Sequence, residues 1–229
     1  MFFPFMWDPT MVLLIPALIL TFWAQARVSS AFQKYSRVMT ANRMTGAAVA
    51  RGVLDQAGLQ DVAIERIGGR LSDHYDPRSR VLRLSADVYD SPSIAAAGVA
   101  AHEAGHAIQH DVGYLPLQMR NSIWPVANIG SSGGFWLFFL GLIFGSLWLQ
   151  DLGIILFAAA VVFYFVTLPV ELNASGRAFD VLEAGGYLTR EEMPGARSVL
   201  NAAAWTYIAA ATMAVTQLLR LLVLRSRRD

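Results

Sequence analysis

"NSIWPVANIGSSGGFWLFFLGLIFGSLWLQ", residues 121–150, contains no Asp, Glu, Lys or Arg. A helix that spans a bilayer needs about 20 consecutive, mostly apolar residues, whereas an apolar core segment of a soluble domain usually runs to about 10–14. Three further stretches are equally free of charge: 9–26, 152–170 and 198–219, with 18, 19 and 22 residues. The spacing therefore predicts four transmembrane helices, at about 9–26, 132–150, 152–170 and 200–222. Trp7 and Trp23 bracket the first and Trp136 and Trp148 the second, as expected of aromatic side chains at the two membrane–water interfaces.

The whole chain agrees with that reading. Of its 229 residues 55% are apolar and 15% charged, against about a quarter charged in an ordinary soluble domain. The formal net charge of +1 gives no electrostatic footprint for nucleic acid, and the absence of cysteine removes disulfides and thiolate metal ligands. No basic residue precedes the first span and no small-residue cleavage pattern follows it, so it is expected to stay as an anchor.

Charge is concentrated in residues 27–120 and 171–197. The expected organisation is a first anchor (1–26), a small membrane-attached domain (27–131), a transmembrane hairpin (132–170) linked around Asp151, a short helix (171–199) and a last span with a basic tail (200–229). Inside the small domain, "TGAAVARGVLDQAGL" (45–59) starts at Thr45, a good N-cap, and stops at Gly58. "DVAIERI" (61–67) and "VLRLS" (81–85) alternate like strands and are separated by a turn-rich segment. Ser91 or Ser93 can cap the following helix, "IAAAGVAAHEAGHAIQH", which should end near Gly113.

That helix carries the chemistry. His102, Glu103 and His106 spell H-E-x-x-H. Two imidazoles four residues apart lie one turn apart on one face and can converge on a zinc ion at about 2.0–2.1 Å. The intervening carboxylate falls beside the open coordination position, where it can take a proton from water. Gly105 would keep the cleft-facing surface unobstructed. A catalytic zinc site usually has a third protein ligand. His110 is two turns from His102, about 12 Å along the axis, too far to share one ion. Glu171 is the better candidate, because the hairpin returns it to the same side; the other reading is a carboxylate marking a membrane boundary.

"HEAGHAIQH", "ELNASGRA" after a hydrophobic hairpin, and "DHYDPRSRVLRLS" upstream together resemble the bacterial integral-membrane neutral zinc metallopeptidases, the YugP-like family. The resemblance spans nearly the whole chain. It implies an α-helical membrane protein with a small α+β zincin-like domain, and a gluzincin-like zinc metalloendopeptidase. It further implies one Zn²⁺ per chain held by His102, His106 and Glu171, with Glu103 as general base.

Other residues have two readings each. His74 and Tyr75 could donate a hydrogen bond to a developing oxyanion, or serve only as turn residues. Arg177 and Asp180 could orient the ligands, or form a surface ion pair. "VLRLS" is expected as an edge strand open to an extended substrate. Arg27, Lys34, Arg37 and Arg43 follow the first span, which places the catalytic region in the cytoplasm of a multi-pass protein of the inner (plasma) membrane. Four spans then put the arginine-rich "RSRRD" tail outside, a conflict that would ease if Arg220 interrupted the last segment. Partners are the lipid bilayer and peptide or membrane-protein substrates, with no nucleic acid. The competing function is a non-catalytic, zinc-stabilised membrane scaffold that binds peptides or a partner. Glu103 separates the two, since a structural site has no use for a general base.

Overall fold

The computed structural model describes residues 8–226; Trp7 and the last three residues of the basic tail lie outside the described residues. The described chain is an α-helical membrane protein with a small α+β part, and it divides into two compact units.

The first unit takes Met1–Gln25, Gln118–Leu168 and Thr206–Asp229. Four helical runs are long and apolar enough to cross a membrane: Pro9–Tyr35, Leu115–Phe144, Leu147–Ala184 and Met193–Ser226. In the first, a 3₁₀ turn leads into α1 (Ile15–Tyr35). The first, third and fourth outrun their charge-free stretches, and the second starts before its stretch and ends inside it, because a charged residue marks where hydrocarbon ends, not where backbone hydrogen bonding ends. The second run comprises α5 (Leu115–Ile129), a π-helical turn at Gly130–Gly134 and α6 (Phe135–Phe144). It therefore starts well before residue 132, and Gln118–Ser131 groups with these helices instead of with the small domain. Gly130 and Gly134 lie against the next helix, α7 (Leu147–Ala184): a Cβ at Gly130 would collide with the Leu156 carbonyl, and one at Gly134 would come 2.8 Å from the Gly153 oxygen. Small residues let such backbones approach closely in the absence of a hydrophobic driving force.

The hairpin turns at Gly145 and Ser146, not around Asp151. Gly145 takes the left-handed conformation (φ 69°) that ends α6, and Asp151 sits in the early turns of α7, 2.9 Å from Arg225 Nε. The last helix, α8 (Met193–Ser226), runs through Arg220 without a break. The Arg220 guanidinium is buried and donates to Asp8 Oδ2 at 2.8 Å and to Thr10 Oγ1 at 3.1 Å, so it needs no interruption of the helix to escape the apolar interior.

The second unit takes Ala26–Leu117 and Pro169–Trp205. Thr45 caps α2 (Gly46–Gln56) by accepting the Ala48 N–H at 3.3 Å, and the chain leaves it through Gly58 at φ 77°. Three strands follow: β1 (Ala63–Ile67), β2 (His74–Asp76) and β3 (Val81–Ser85), in the order β1-β3-β2. β3 pairs parallel with β1 and antiparallel with β2. "VLRLS" is thus the central strand and not an edge; its two leucines are fully buried. The edges are instead β1 and β2, and β2 is three residues within a segment so rich in turn formers that no alternation shows. A one-turn helix, α3 (Ala86–Tyr89), precedes α4 (Ile94–Asp111). Ser93 caps α4, accepting the Ala96 N–H at 3.2 Å, while Ser91 Oγ hydrogen-bonds to Ser93 Oγ.

Glu171 does not start a separate short helix. It lies within α7, which continues through Pro169 to Ala184. Proline removes one helical N–H and crowds the carbonyl four residues back, but flanking turns keep the helix intact. The apolar core of this unit is built from α2, α4, β3, the end of α7 and the start of α8, with Leu54, Leu82, Leu84, Ala100, Ala104 and Leu182 among its fully buried side chains.

Candidate metal centre

The first two turns of α4, "IAAAGVAA", are nearly all alanine and glycine, and all of these residues but Val99 are buried. Small side chains allow α7 to lie close. At Gly105 an added Cβ would be 2.8 Å from the Ala174 carbonyl oxygen. Gly105 is therefore a helix-contact residue and does not line a cleft, as the sequence had suggested.

This close approach brings the ligands together. His102 and His106 project from successive turns of α4, with ring centroids 4.8 Å apart and nearly perpendicular planes. Glu171 Oε2 lies 3.3 Å from His102 Nε2 and 3.5 Å from His106 Nε2. These three residues are the group among the described residues whose ligand atoms, all within 4.8 Å of one another, could hold a metal ion. Two ligands bound to zinc at about 2.0–2.1 Å with a tetrahedral angle would be about 3.4 Å apart. Both measured edges match that separation, and two imidazoles with a carboxylate are zinc chemistry, so the residues fit the ion. His106 and Glu171 are buried, and His102 is half-buried.

Glu103 is buried on α4 beside His102. Loss of hydration pushes its carboxyl up to about 7, with the neighbouring Glu171 and Asp73 acting in the same direction and His102 opposing.

The outer contacts hold the imidazoles. His102 Nδ1 shares a 3.1 Å hydrogen bond with Ser175 Oγ, and His106 Nδ1 one of 3.0 Å with Gln109 Oε1. Gln109 Nε2 donates to the Val170 carbonyl at 2.8 Å and to Asn173 Oδ1 at 2.9 Å, and Arg177 Nε donates to the same Asn173 oxygen at 2.9 Å. Gln109 and Ser175 were not singled out from the sequence. The signal was there: Gln109 is three residues after His106, and Ser175 four after Glu171, spacings that put each on the ligand's own helix face.

The remaining candidates lie apart. Tyr75 OH meets His110 Nδ1 at 2.9 Å, tying β2 to the end of α4. His74 is exposed, bonds through Nδ1 to the Ser72 carbonyl at 2.8 Å, and is near enough for its charge to act on Glu103. Arg177 is linked to His106 through Asn173 and Gln109. Asp180 is exposed, and among the described residues no ion pair joins it to Arg177.

Comparison with known proteins adds to this geometry. A family profile described as "Putative neutral zinc metallopeptidase" matches residues 10–226. The chain belongs to this family. A relative from Bacillus subtilis (strain 168), described as "Putative membrane protease YugP", is 50% identical over 212 residues, covering 93% of this chain and 94% of the relative. No solved structure matches. For a member of the neutral zinc metallopeptidases, the His102, His106 and Glu171 group has the donor types and spacing that the family's metal requires.

Proposed function

We propose that this chain is a membrane-embedded zinc metalloendopeptidase that hydrolyses peptide bonds of membrane-associated proteins or peptides. The observation that carries the proposal is the convergence of two imidazole nitrogens on one Glu171 oxygen at 3.3 and 3.5 Å, next to a buried carboxylate. His102, His106 and Glu171 would hold one Zn²⁺ per chain. When bound, zinc supplies a Lewis acid that polarises the scissile carbonyl and lowers the pKa of water.

The chain's own residues do the rest. Glu103 accepts the proton of the attacking water and delivers it to the departing amine; a carboxyl whose affinity for protons has been raised by burial suits both halves of that exchange. Ser175 and Gln109 keep the two imidazole rings turned toward Glu171. His74, on the edge strand β2 and within electrostatic reach of Glu103, is the stronger candidate for a donor to the developing oxyanion, because the Tyr75 hydroxyl is engaged with His110.

Glu171 directly follows the charge-free stretch 152–170, which supports substrates presented at the membrane. The inner (plasma) membrane, with the catalytic region on the cytoplasmic side, agrees with Arg27, Lys34, Arg37 and Arg43. The opposing pull of the C-terminal arginines is weakened, since Arg220 and Arg225 are paired with Asp8 and Asp151. A reporter fused after Asp229 should read as non-cytoplasmic; a cytoplasmic reading would reverse the orientation.

The activity is tested by comparing wild type with Glu103→Ala in detergent, recording zinc content and cleavage of an unfolded protein. Equal zinc with cleavage lost only in the variant supports the peptidase. Equal zinc with equal cleavage would remove Glu103 from the mechanism.

A further inference from the structure

We infer that Gln109 is a positioning residue that sets His106 and Glu171 in register, using one amide to tie the two ligand-bearing helices together. The inference rests on reading His102, His106 and Glu171 as a zinc site.

The direction of every hydrogen bond around this amide is fixed by its neighbours. Gln109 is fully buried, so each of its polar atoms needs a partner within the protein. Its nitrogen faces two acceptors: the Val170 carbonyl at 2.8 Å and Asn173 Oδ1 at 2.9 Å. An amide nitrogen has two hydrogens, and both are used. The Asn173 oxygen is itself fixed as an acceptor, because the Arg177 guanidinium, which can only donate, bonds to it at 2.9 Å. Gln109 Oε1 is left to accept, and the group that faces it at 3.0 Å is His106 Nδ1. The hydrogen of a neutral His106 ring therefore sits on Nδ1, and Nε2 presents its lone pair toward Glu171.

The two donated bonds bracket the other ligand. Val170 immediately precedes Glu171, and Asn173 follows it by two residues. Holding both fixes the turn of α7 on which Glu171 stands, while the accepted bond fixes the ring from α4. Metal-bound imidazoles in general are oriented by such outer contacts, and their loss costs about 10–100-fold in metal affinity. Here the orienting group is neutral, and it touches one ligand directly while gripping the residues on either side of the other. His102 has a partner of its own in Ser175, so Gln109 is not needed for all three ligands.

The test is zinc affinity, measured on purified full-length protein in detergent by competition with a chromogenic chelator, together with the visible spectrum of the Co²⁺-substituted form. Gln109→Leu should weaken zinc by about 10–100-fold and change the cobalt bands. Gln109→Glu keeps an acceptor for His106 and should recover at least part of the affinity lost in Gln109→Leu. Should Gln109→Leu fail to fold, Asn173→Ala carries the test: it removes one partner of the amide and should weaken zinc severalfold. Zinc affinity and cobalt spectrum unchanged in the folded variants would overturn the inference while leaving the zinc site standing. A wild type that takes up no zinc would overturn both.

Discussion

Gly105→Ala adds one methyl group, yet the packing of α4 on α7 makes it a demanding change. The new Cβ would lie 2.8 Å from the Ala174 carbonyl oxygen, where ordinary contact begins at 3.4 Å. That oxygen belongs to helix backbone and cannot swing aside, so the two helices must separate by roughly 0.6 Å, or the helices must deform. Overpacking of this kind costs about 1–3 kcal/mol of stability. The position amplifies the effect: Gly105 stands between His102 and His106, and Ala174 three residues after Glu171. The edges of 3.3 and 3.5 Å between the imidazoles and Glu171 would open toward 4 Å, when metal sites tolerate about 0.2 Å in bond length. Zinc affinity should fall by on the order of 10–100-fold, comparable to loss of an outer contact to a ligand. Chelator competition on the purified variant measures this directly, with thermal unfolding of the metal-free form alongside. A variant with wild-type zinc affinity and an unchanged unfolding midpoint would refute the close packing on which the site's geometry depends.

Three further outcomes follow from the same structure. Arg220→Met leaves the Asp8 carboxylate without its buried partner and should cost about 3–5 kcal/mol; thermal unfolding in detergent should show a large loss that Asp8→Asn in the same chain partly restores. Tyr75→Phe removes the hydroxyl that meets His110 and should cost about 0.5–1.5 kcal/mol while leaving kcat unchanged, whereas His74→Ala should lower kcat; the opposite pattern would exchange their roles. Asp76 is held well below the usual carboxylate range by hydrogen bonds from Ser79, the Arg78 backbone and Arg83. Its folded pKa is depressed, so its stabilising contribution is present above the ordinary carboxylate pKa and disappears as pH falls through the folded value. Asp76→Asn should therefore lower the unfolding midpoint at neutral pH, with the gap to wild type closing only in strong acid; a gap independent of pH would contradict this.

What the sequence revealed depended on the range of the interaction. Charge-free stretches announce membrane spans because hydrocarbon excludes ions whatever the fold. They say little about where a helix stops, so the turn at Gly145 and Ser146 and the π-helical turn after Ile129 were invisible to charge spacing. Caps at Thr45 and Ser93 are local chemistry and could be read directly. The strand order was not local: β3 looks like any short alternating strand, and only its pairing with both β1 and β2 makes it central. In the candidate site, His102, Glu103 and His106 were legible because one helix sets their spacing. Glu171 is 65 residues beyond His106 and rested on resemblance, since nothing in its own neighbourhood distinguishes a ligand from a boundary carboxylate. Gly105 and Gln109 required the second helix. A glycine's missing side chain gains meaning only from the carbonyl packed against it, and a buried amide only from its partners on α7.

Zinc analysis of purified wild type and Glu171→Ala, prepared in parallel and assayed for cleavage of the same unfolded substrate, tests the central claim most directly. Wild type should carry one zinc per chain and cleave, while the variant, deprived of the carboxylate that both imidazoles face, should lose most of its zinc and all of its cleavage. A Glu171→Ala protein that keeps one tightly bound zinc and its activity would contradict the account.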